Sequence, residues 1–292
     1  MGIYLLGIDV GTTHCKAGLF DQQGQMVKVA SRLSQSLKSS KGYYYYNPEE
    51  LWASLATATR EAIQGIPPGQ IAAVGIASMA ETGMLVDRLR GAPRTDLIPW
   101  FDSSATPQAE ILRQADDLVE RFCRAGIRPN FKCSLAKILW LREQDEHLLH
   151  EAIWLMAADA TAYWMTGVMA TDYSLAGRTY AFRIDQKTWD APWLSSLGID
   201  TDLFPQPLPS GAPLGKVQLR AAQVTGLLAG TPVAITGHDH VCAAFAAGGH
   251  TPGQVLDSMG TAEAIEGVFA ERHSTRAITT QAWFLDATSS PA

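Results

Sequence analysis

Leu5-Leu6-Gly7-Ile8-Asp9-Val10-Gly11-Thr12-Thr13-His14-Cys15-Lys16-Ala17-Gly18-Leu19-Phe20 is the stretch on which the reading of the whole chain turns. An apolar strand runs into Asp9, the chain turns through Gly11, Thr12 and Thr13, and a second half-apolar strand leaves through Ala17, Leu19 and Phe20. The result is a hairpin with a polar tip. A carboxylate beside a Gly-Thr-Thr turn gathers backbone N–H groups, two hydroxyls and one negative charge, which suits the phosphates and the Mg2+ of a nucleotide. An ordinary hairpin turn explains the same residues, because Asp, Gly and Thr all favour turns for local reasons.

Working outward, Asp21-Gln22-Gln23-Gly24 reads as a second hairpin loop with Gly24 at positive φ, leading to a third strand through Met26, Val27 and Val29. Three antiparallel strands therefore open the chain. The tyrosines Tyr43, Tyr44, Tyr45 and Tyr46 read as a strand with one packed face, and a stacking platform for a ligand is the alternative. Asn47-Pro48-Glu49-Glu50 is a helix start, with Asn47 as N-cap and Pro48 at the first helical position. Leu51, Leu55, Ala58 and Ala62 then recur at helical spacing. The apolar run from Ile71 to Ser78 reads as a buried strand, with Met84 to Asp87 as its neighbour. Strands, helix, strand is the order of an α/β domain. Residues 109–167 read as mostly helical, with His147 and His150 on one charged, solvated helix face, and the proline-rich segment 200–214 as a surface connection.

The late segment Val255-Leu256-Asp257-Ser258-Met259-Gly260-Thr261 repeats the opening device: a strand, an Asp, then Gly-Thr, then a departing strand through Ala264 and Ile265. Two such turns suggest a duplicated architecture that grips a polyphosphate from both sides. Between them, Asp239 stands where the strand from Pro232 ends and a small-residue helix begins, the place where α/β folds expose catalytic groups. A helix N-terminus stabilises its carboxylate, so it reads as a hydrogen-bond acceptor for a substrate hydroxyl, the positioning role that phosphoryl transfer requires. A plain N-cap is the competing explanation. His238 and His240 flank it and raise a metal-dependent hydrolase as another class, although an extended strand end would point 239 away from its two neighbours.

Composition narrows the partners. The chain has 292 residues, 47% of them hydrophobic, and a net charge of -6 with Lys and Arg scattered, so nucleic acid and acidic membrane surfaces are not expected partners. Cys15, Cys123, Cys133 and Cys242 form no metal or disulfide pattern, and no run approaches a membrane span. A cytoplasmic protein with small-molecule partners is the expectation.

These motifs, in this order, resemble the FGGY carbohydrate kinases of the actin, hexokinase and sugar-kinase fold group. Gly7 to Thr13 resembles the family's first phosphate motif and Asn47-Pro48-Glu49-Glu50-Leu51-Trp52 its early helix. Trp100-Phe101-Asp102 resembles the substrate motif. Lys137-Ile138-Leu139-Trp140-Leu141, Thr171-Asp172-Tyr173-Ser174, Gly237-His238-Asp239 and the 257–261 turn come next in the family's order. The resemblance implies an actin-like, ribonuclease H-like ATPase domain: a mixed sheet opened by a three-stranded antiparallel meander and flanked by helices. It implies residues 1–248 as the substrate-binding domain and 249–292 as the start of an incomplete nucleotide-binding domain. It further implies ATP and Mg2+, phosphorylation of a sugar or polyol hydroxyl, and Asp239 as catalytic base. Asp9 would help hold Mg2+ through water; Gly11, Thr12, Thr13, Gly260 and Thr261 would contact phosphates. Met79, Ala80, Glu81, Trp100, Asp102 and His240 would line the substrate pocket, with Glu81 on a substrate hydroxyl.

Two departures adjust this picture. Ser104 stands where the family often has Arg, and Ala80 replaces the Arg that glycerol-type members carry, which favours a ketose such as a pentulose over glycerol. The short second domain suggests poor turnover by this chain alone and apolar segments, 255–269 and 282–285, available for association as a homodimer. A non-catalytic sugar-binding or regulatory remnant of a kinase would carry the same motifs.

Overall fold

The computed structural model describes residues 2–259 and 263–270. The chain opens with β1 (Tyr4–Val10), β2 (His14–Phe20) and β3 (Met26–Leu33), an antiparallel meander as expected, and Gly24 takes φ 76° in the second turn. The strands β4 (Leu37–Lys38) and β5 (Tyr44–Tyr45) pair briefly before α1 (Pro48–Ala62). Asn47 caps α1, its Oδ1 accepting from the N–H groups of Glu49 (2.9 Å) and Glu50 (3.1 Å). The helix lays Leu51, Leu55, Ala58 and Ala62 against β2 and β3. Burial of each leucine contributes about 2 kcal/mol, so Leu51→Ala or Leu55→Ala would weaken this layer.

β6 (Ile71–Ser78) returns parallel to β1, and β7 (Gly83–Asp87) comes after it. Next come α2 (Thr106–Gln114), α3 (Leu118–Ala125), α4 (Ser134–Gln144), β8 (Ala152–Met156) and α5 (Ala157–Thr166). Then β9 (Ala170–Asp172), α6 (Tyr173–Gly177), the small pair β10 (Phe182–Arg183) and β11 (Thr188–Trp189), α7 (Ala191–Ser196) and β12 (Gln206–Leu208) lead to β13 (Gly215–Lys216). The described chain ends with α8 (Leu219–Thr225), β14 (Pro232–His238), α9 (Asp239–Ala246) and the hairpin β15 (Val255–Met259) and β16 (Glu263–Gly267).

The central sheet runs β13-β14-β6-β1-β2-β3, with β14, β6 and β1 mutually parallel and antiparallel strands at both margins. This is the mixed sheet flanked by helices that the motifs implied. One face carries Leu6, Ile8, Val10, Ala17, Leu19, Val74, Ile76, Val233 and Ile235, all buried in one continuous core. Because side chains alternate, Asp9 belongs to the other, less covered face.

Four expectations are corrected. Met84 to Asp87 does not pair with Ile71–Ser78; β7 pairs antiparallel with β8, Gly83 opposite Met156. A Cβ at Gly83 would lie 2.6 Å from the Trp154 ring, so the missing side chain admits that pairing. Residues 152–156 are consequently a strand inside the stretch read as helical: all five are buried, and a continuous apolar run carries no period. His147 and His150 sit on and beside a short 3-10 turn and are exposed. The 200–214 segment is more than a surface connection, since Phe204 is buried and stacks on Trp189 at 4.6 Å while β12 pairs with β9.

The late hairpin forms as read, Asp257 opposite Ile265. Gly260, Thr261 and the segment 282–285 lie outside the described residues. Among the described residues no helix is long and apolar enough to cross a membrane.

Candidate functional site

The carboxyl ends of the parallel strands set the site. Asp9 on β1 is in register with Ala77 on β6, and Ala77 with Gly237 on β14, so the tips of the three strands stand side by side. Asp239 begins α9 two residues later. In open α/β sheets this edge is where ligands bind.

Asp9 and Asp239 feel each other across the end of β6. Burial raises the Asp9 carboxyl above its ordinary value; Lys16, 3.7 Å from Oδ2, opposes this, and the charge on Asp239 adds to the rise. Asp9 Oδ1 is buried and accepts no hydrogen bond among the described residues. Gly11 keeps the tip tight: a Cβ there would stand 2.8 Å from the His14 carbonyl and within 4 Å of both Asp9 oxygens. A buried, unpartnered carboxylate oxygen beside a second carboxylate is a donor set suited to a hard cation such as Mg2+.

Asp239 is treated differently by its surroundings. Burial pushes its carboxyl up, but His238 Nε2 at 3.1 Å from Oδ1, the charge of His240 and the His240 backbone N–H (2.8 Å) outweigh burial and hold it below the usual range. It stays an acceptor at neutral pH. The strand-to-helix turn supplies the bend that an extended reading lacked, and one ligand atom from each of His238, Asp239 and His240 lies within 4.8 Å of the others. Among the described residues this is the one cluster of three or more His, Cys, Asp or Glu side chains close enough together to hold a metal ion.

Beside the end of β1 stands a wall built from the loop 79–82 and the segment 100–102. Met79 is anchored by its N–H on Val10 O (3.0 Å) and, with Ala80, is buried. Trp100 donates from Nε1 to Thr12 Oγ1 (2.9 Å) and from its backbone to Thr82 Oγ1 (3.0 Å). Thr12 in turn donates to Met79 Sδ (3.6 Å), and its carbonyl accepts from Tyr46 (2.8 Å). Thr12 therefore ties the turn at the end of β1 to the wall, and Thr13 is the exposed hydroxyl of the pair. Asp102 is buried, with Oδ2 accepting from Tyr44 N–H (2.7 Å) and Oδ1 from Ser104 N–H (3.0 Å), so its oxygens first hold the local backbone.

Glu81 is the charged group of that wall. It takes φ 59°, a left-handed conformation that costs a non-glycine residue. Two partners that the sequence reading missed hold it. Arg178 donates Nε (3.0 Å) and a terminal nitrogen (2.5 Å) to Oε1, and Lys137 Nζ donates to the Glu81 carbonyl (2.6 Å) and to the Lys132 carbonyl (2.9 Å). Burial alone would raise the Glu81 carboxyl; Arg178, His238 and Lys137 reverse this and keep it ionised. Lys137 is fully buried, and burial pushes its ammonium down to about 8 despite the opposing charge of Glu81. Lys137 belongs to a motif already singled out, but a buried lysine inside an apolar helix was its only further signal. Two concavities, of about 600 Å³ between β3 and α1 and about 570 Å³ beside the 92–98 loop, contain none of Asp9, Glu81 or Asp239. Asp9 and Asp239 each remain about one-third exposed.

Residues 4–246 match the FGGY family of carbohydrate kinases, N-terminal domain. The chain is 29% identical over 266 residues to a xylulose kinase of Bacillus subtilis, covering 90% of this chain and 53% of that protein. It is 33% identical over 243 residues to a glycerol kinase of Thermus brockianus, covering 80% and 48%. The crystal structure of a xylulose kinase from Rhodospirillum rubrum superposes with a TM-score of 0.87 at 25% identity, over 94% of this chain and 56% of that one. The chain thus spans about half the length of the curated relatives it matches.

Proposed function

The chain belongs to the FGGY family of carbohydrate kinases, and from that premise we propose that it serves ATP-dependent phosphorylation of a sugar or polyol hydroxyl, with a ketose such as a pentulose as the favoured acceptor. One observation carries the proposal: Asp9 and Asp239 flank the end of β6, close enough for the charge of one to raise the carboxyl of the other.

In this reading residues 1–248 take the acceptor and 249–292 begin a nucleotide-binding domain. Asp239, ionised and held by His238 and His240, accepts a hydrogen bond from the acceptor hydroxyl and takes its proton as the hydroxyl oxygen bonds to the γ-phosphorus of ATP and the bond from that phosphorus to the bridging oxygen breaks, releasing ADP. Glu81 accepts from a second hydroxyl; a carboxylate can take two such donors, and Arg178 leaves it ionised to do so. Trp100 and Met79 supply an apolar wall, His240 a further polar contact, and Asp102 holds the backbone behind them. Ala80 leaves room for an acceptor larger than glycerol. Gly11, Thr13 and, outside the described residues, Gly260 and Thr261 are assigned to the phosphates of ATP, with Thr12 coupling that turn to the acceptor wall. Asp9 would hold Mg2+, directly or through water; when bound, the ion neutralises charge building on the transferred phosphoryl group.

A thermal-shift screen over ketopentoses, ketohexoses and polyols, with and without Mg-ATP, and then a coupled ADP assay on each hit, tests this. Stabilisation by a ketose together with ADP release supports the proposal. Stabilisation with no ADP release is the signature of the alternative, a sugar-binding regulatory protein; no stabilisation by any acceptor contradicts both.

A further inference from the structure

The Thr171-Asp172-Tyr173-Ser174 motif has no place in the chemistry above, yet its side chains meet the strand that delivers Asp239. Asp172 is the last residue of β9 and caps α6, accepting from the N–H groups of Ser174 (3.1 Å) and Leu175 (3.0 Å). Its carboxylate also accepts from the hydroxyls of Ser174 (3.0 Å) and Ser210. Asp172 and Ser174 are both buried. The single Ser174 proton is spent on Asp172, so the hydroxyl oxygen is left as an acceptor. It takes the backbone N–H of His238 at 2.9 Å.

That contact falls where β14 leaves regular pairing. The register with β6 slips between Ile235 and Gly237, and Gly237 adopts φ 129°. A Cβ at Gly237 would stand 2.6 Å from Ser174 Oγ and 3.1 Å from Asp172 Oδ2, so glycine is required both by the backbone angle and by the closeness of this pair. An irregularity of one residue re-aims every side chain beyond it, because strand side chains alternate between faces. The side chains re-aimed at this point are His238, whose ring nitrogen reaches Asp239, and then Asp239 itself.

We propose that Asp172 and Ser174 are positioning residues for the phosphoryl transfer: together they clamp the irregular end of β14 and so aim the Asp239 carboxylate at the acceptor hydroxyl. This rests on the role given to Asp239 above. Neither residue touches the acceptor; both act through the His238 backbone. The clamp accordingly governs turnover and leaves acceptor binding, which Glu81 and Trp100 dominate, nearly unchanged.

The test compares wild type with Ser174→Ala, Ser174→Thr and Asp172→Asn in steady-state kinetics and by hydrogen exchange at the His238 amide. Ser174→Ala and Asp172→Asn lower kcat about 10- to 100-fold with acceptor KM within about twofold. Ser174→Thr, which keeps the accepting oxygen, recovers most of the loss. The His238 amide exchanges faster in Ser174→Ala while amides earlier in β14 keep their protection. An unchanged kcat in both Ser174→Ala and Asp172→Asn overturns the proposal, as does a parallel loss in kcat and KM that Thr does not rescue. If Ser174→Ala fails to accumulate, the isosteric Asp172→Asn decides by the same split. Should wild type turn over no acceptor at all, the kinase reading fails by itself; the clamp then stands or falls on whether His238 amide protection depends on Ser174.

Discussion

Two strand ends flank the tip of β6, and the protein handles their carboxylates in opposite ways. At the end of β1, Asp9 is half-buried with one buried oxygen accepting nothing among the described residues, and its carboxyl is pushed up. At the end of β14, Asp239 is also half-buried, but a histidine ring and a backbone N–H hold it, and its carboxyl is pushed down. Burial is the largest influence at both; the difference lies in which partners the chain itself provides. A carboxylate completed by the protein is ready to accept a proton donor, whereas one left incomplete is ready for a cation. Sequence proximity to a Gly-Thr or Gly-His turn says nothing of this contrast, which comes from what each strand end packs against.

The comparison breaks most visibly at Asp239. Asp239→Asn should lower turnover by about 10²- to 10⁴-fold in a coupled ADP assay, while an acceptor that stabilises wild type still raises the melting temperature of the variant. Equal turnover would remove Asp239 from the chemistry.

A smaller effect is expected at the wall beside the end of β1. Lys137→Met removes both hydrogen bonds of the buried ammonium and leaves the Glu81 carbonyl without its donor, so denaturant unfolding should show a loss of about 2 kcal/mol. Because Glu81 then loses the strut for its left-handed backbone, acceptor affinity should fall with stability. An acceptor dissociation constant that stays at the wild-type value would show that Arg178 alone places Glu81.

The smallest effect sharpens the contrast by its sign. A carboxyl raised above its ordinary 3.8 destabilises the fold once it ionises, so the Asp9 contribution is favourable below about pH 4 and lost as pH rises through its raised value. Asp9→Asn should therefore raise the melting temperature at pH 7 without Mg2+, by about 1–2 °C given partial exposure, and abolish any stabilisation by Mg2+. Asp239 works the other way: lowered below 3.8, it stabilises at neutral pH and loses that contribution only as pH falls through its depressed value. Asp239→Asn should accordingly lower the melting temperature at pH 7, with the gap closing below about pH 4. Shifts of the same sign in the two variants would contradict the contrast.

Much of the frame could be read from residue order because its signals are local. The alternation in β1 and β2, the Asn47-Pro48 cap and the glycine at 24 each specify a conformation within a few residues, and all three form as expected. The β7–β8 pair escaped because Ala152–Met156 is apolar at every position, and a strand buried on both faces leaves no period to detect. At the candidate site, the motifs point to Asp9, Glu81, Trp100 and Asp239 but not to the residues that support them. Arg178 on Glu81 and Ser174 on His238 join residues far apart in sequence, and Asp102 is directed to Tyr44 N–H by a fold-level contact that no local pattern encodes.

The central claim is that one cleft contains both carboxylates, and the titration of Asp9 tests it most directly. Carboxyl NMR of Asp9 in wild type and in Asp239→Asn should show the Asp9 pKa falling when the neighbouring negative charge is removed. An Asp9 pKa identical in the two proteins would mean that the strand ends do not share a cleft, and the kinase site drawn around them would be contradicted.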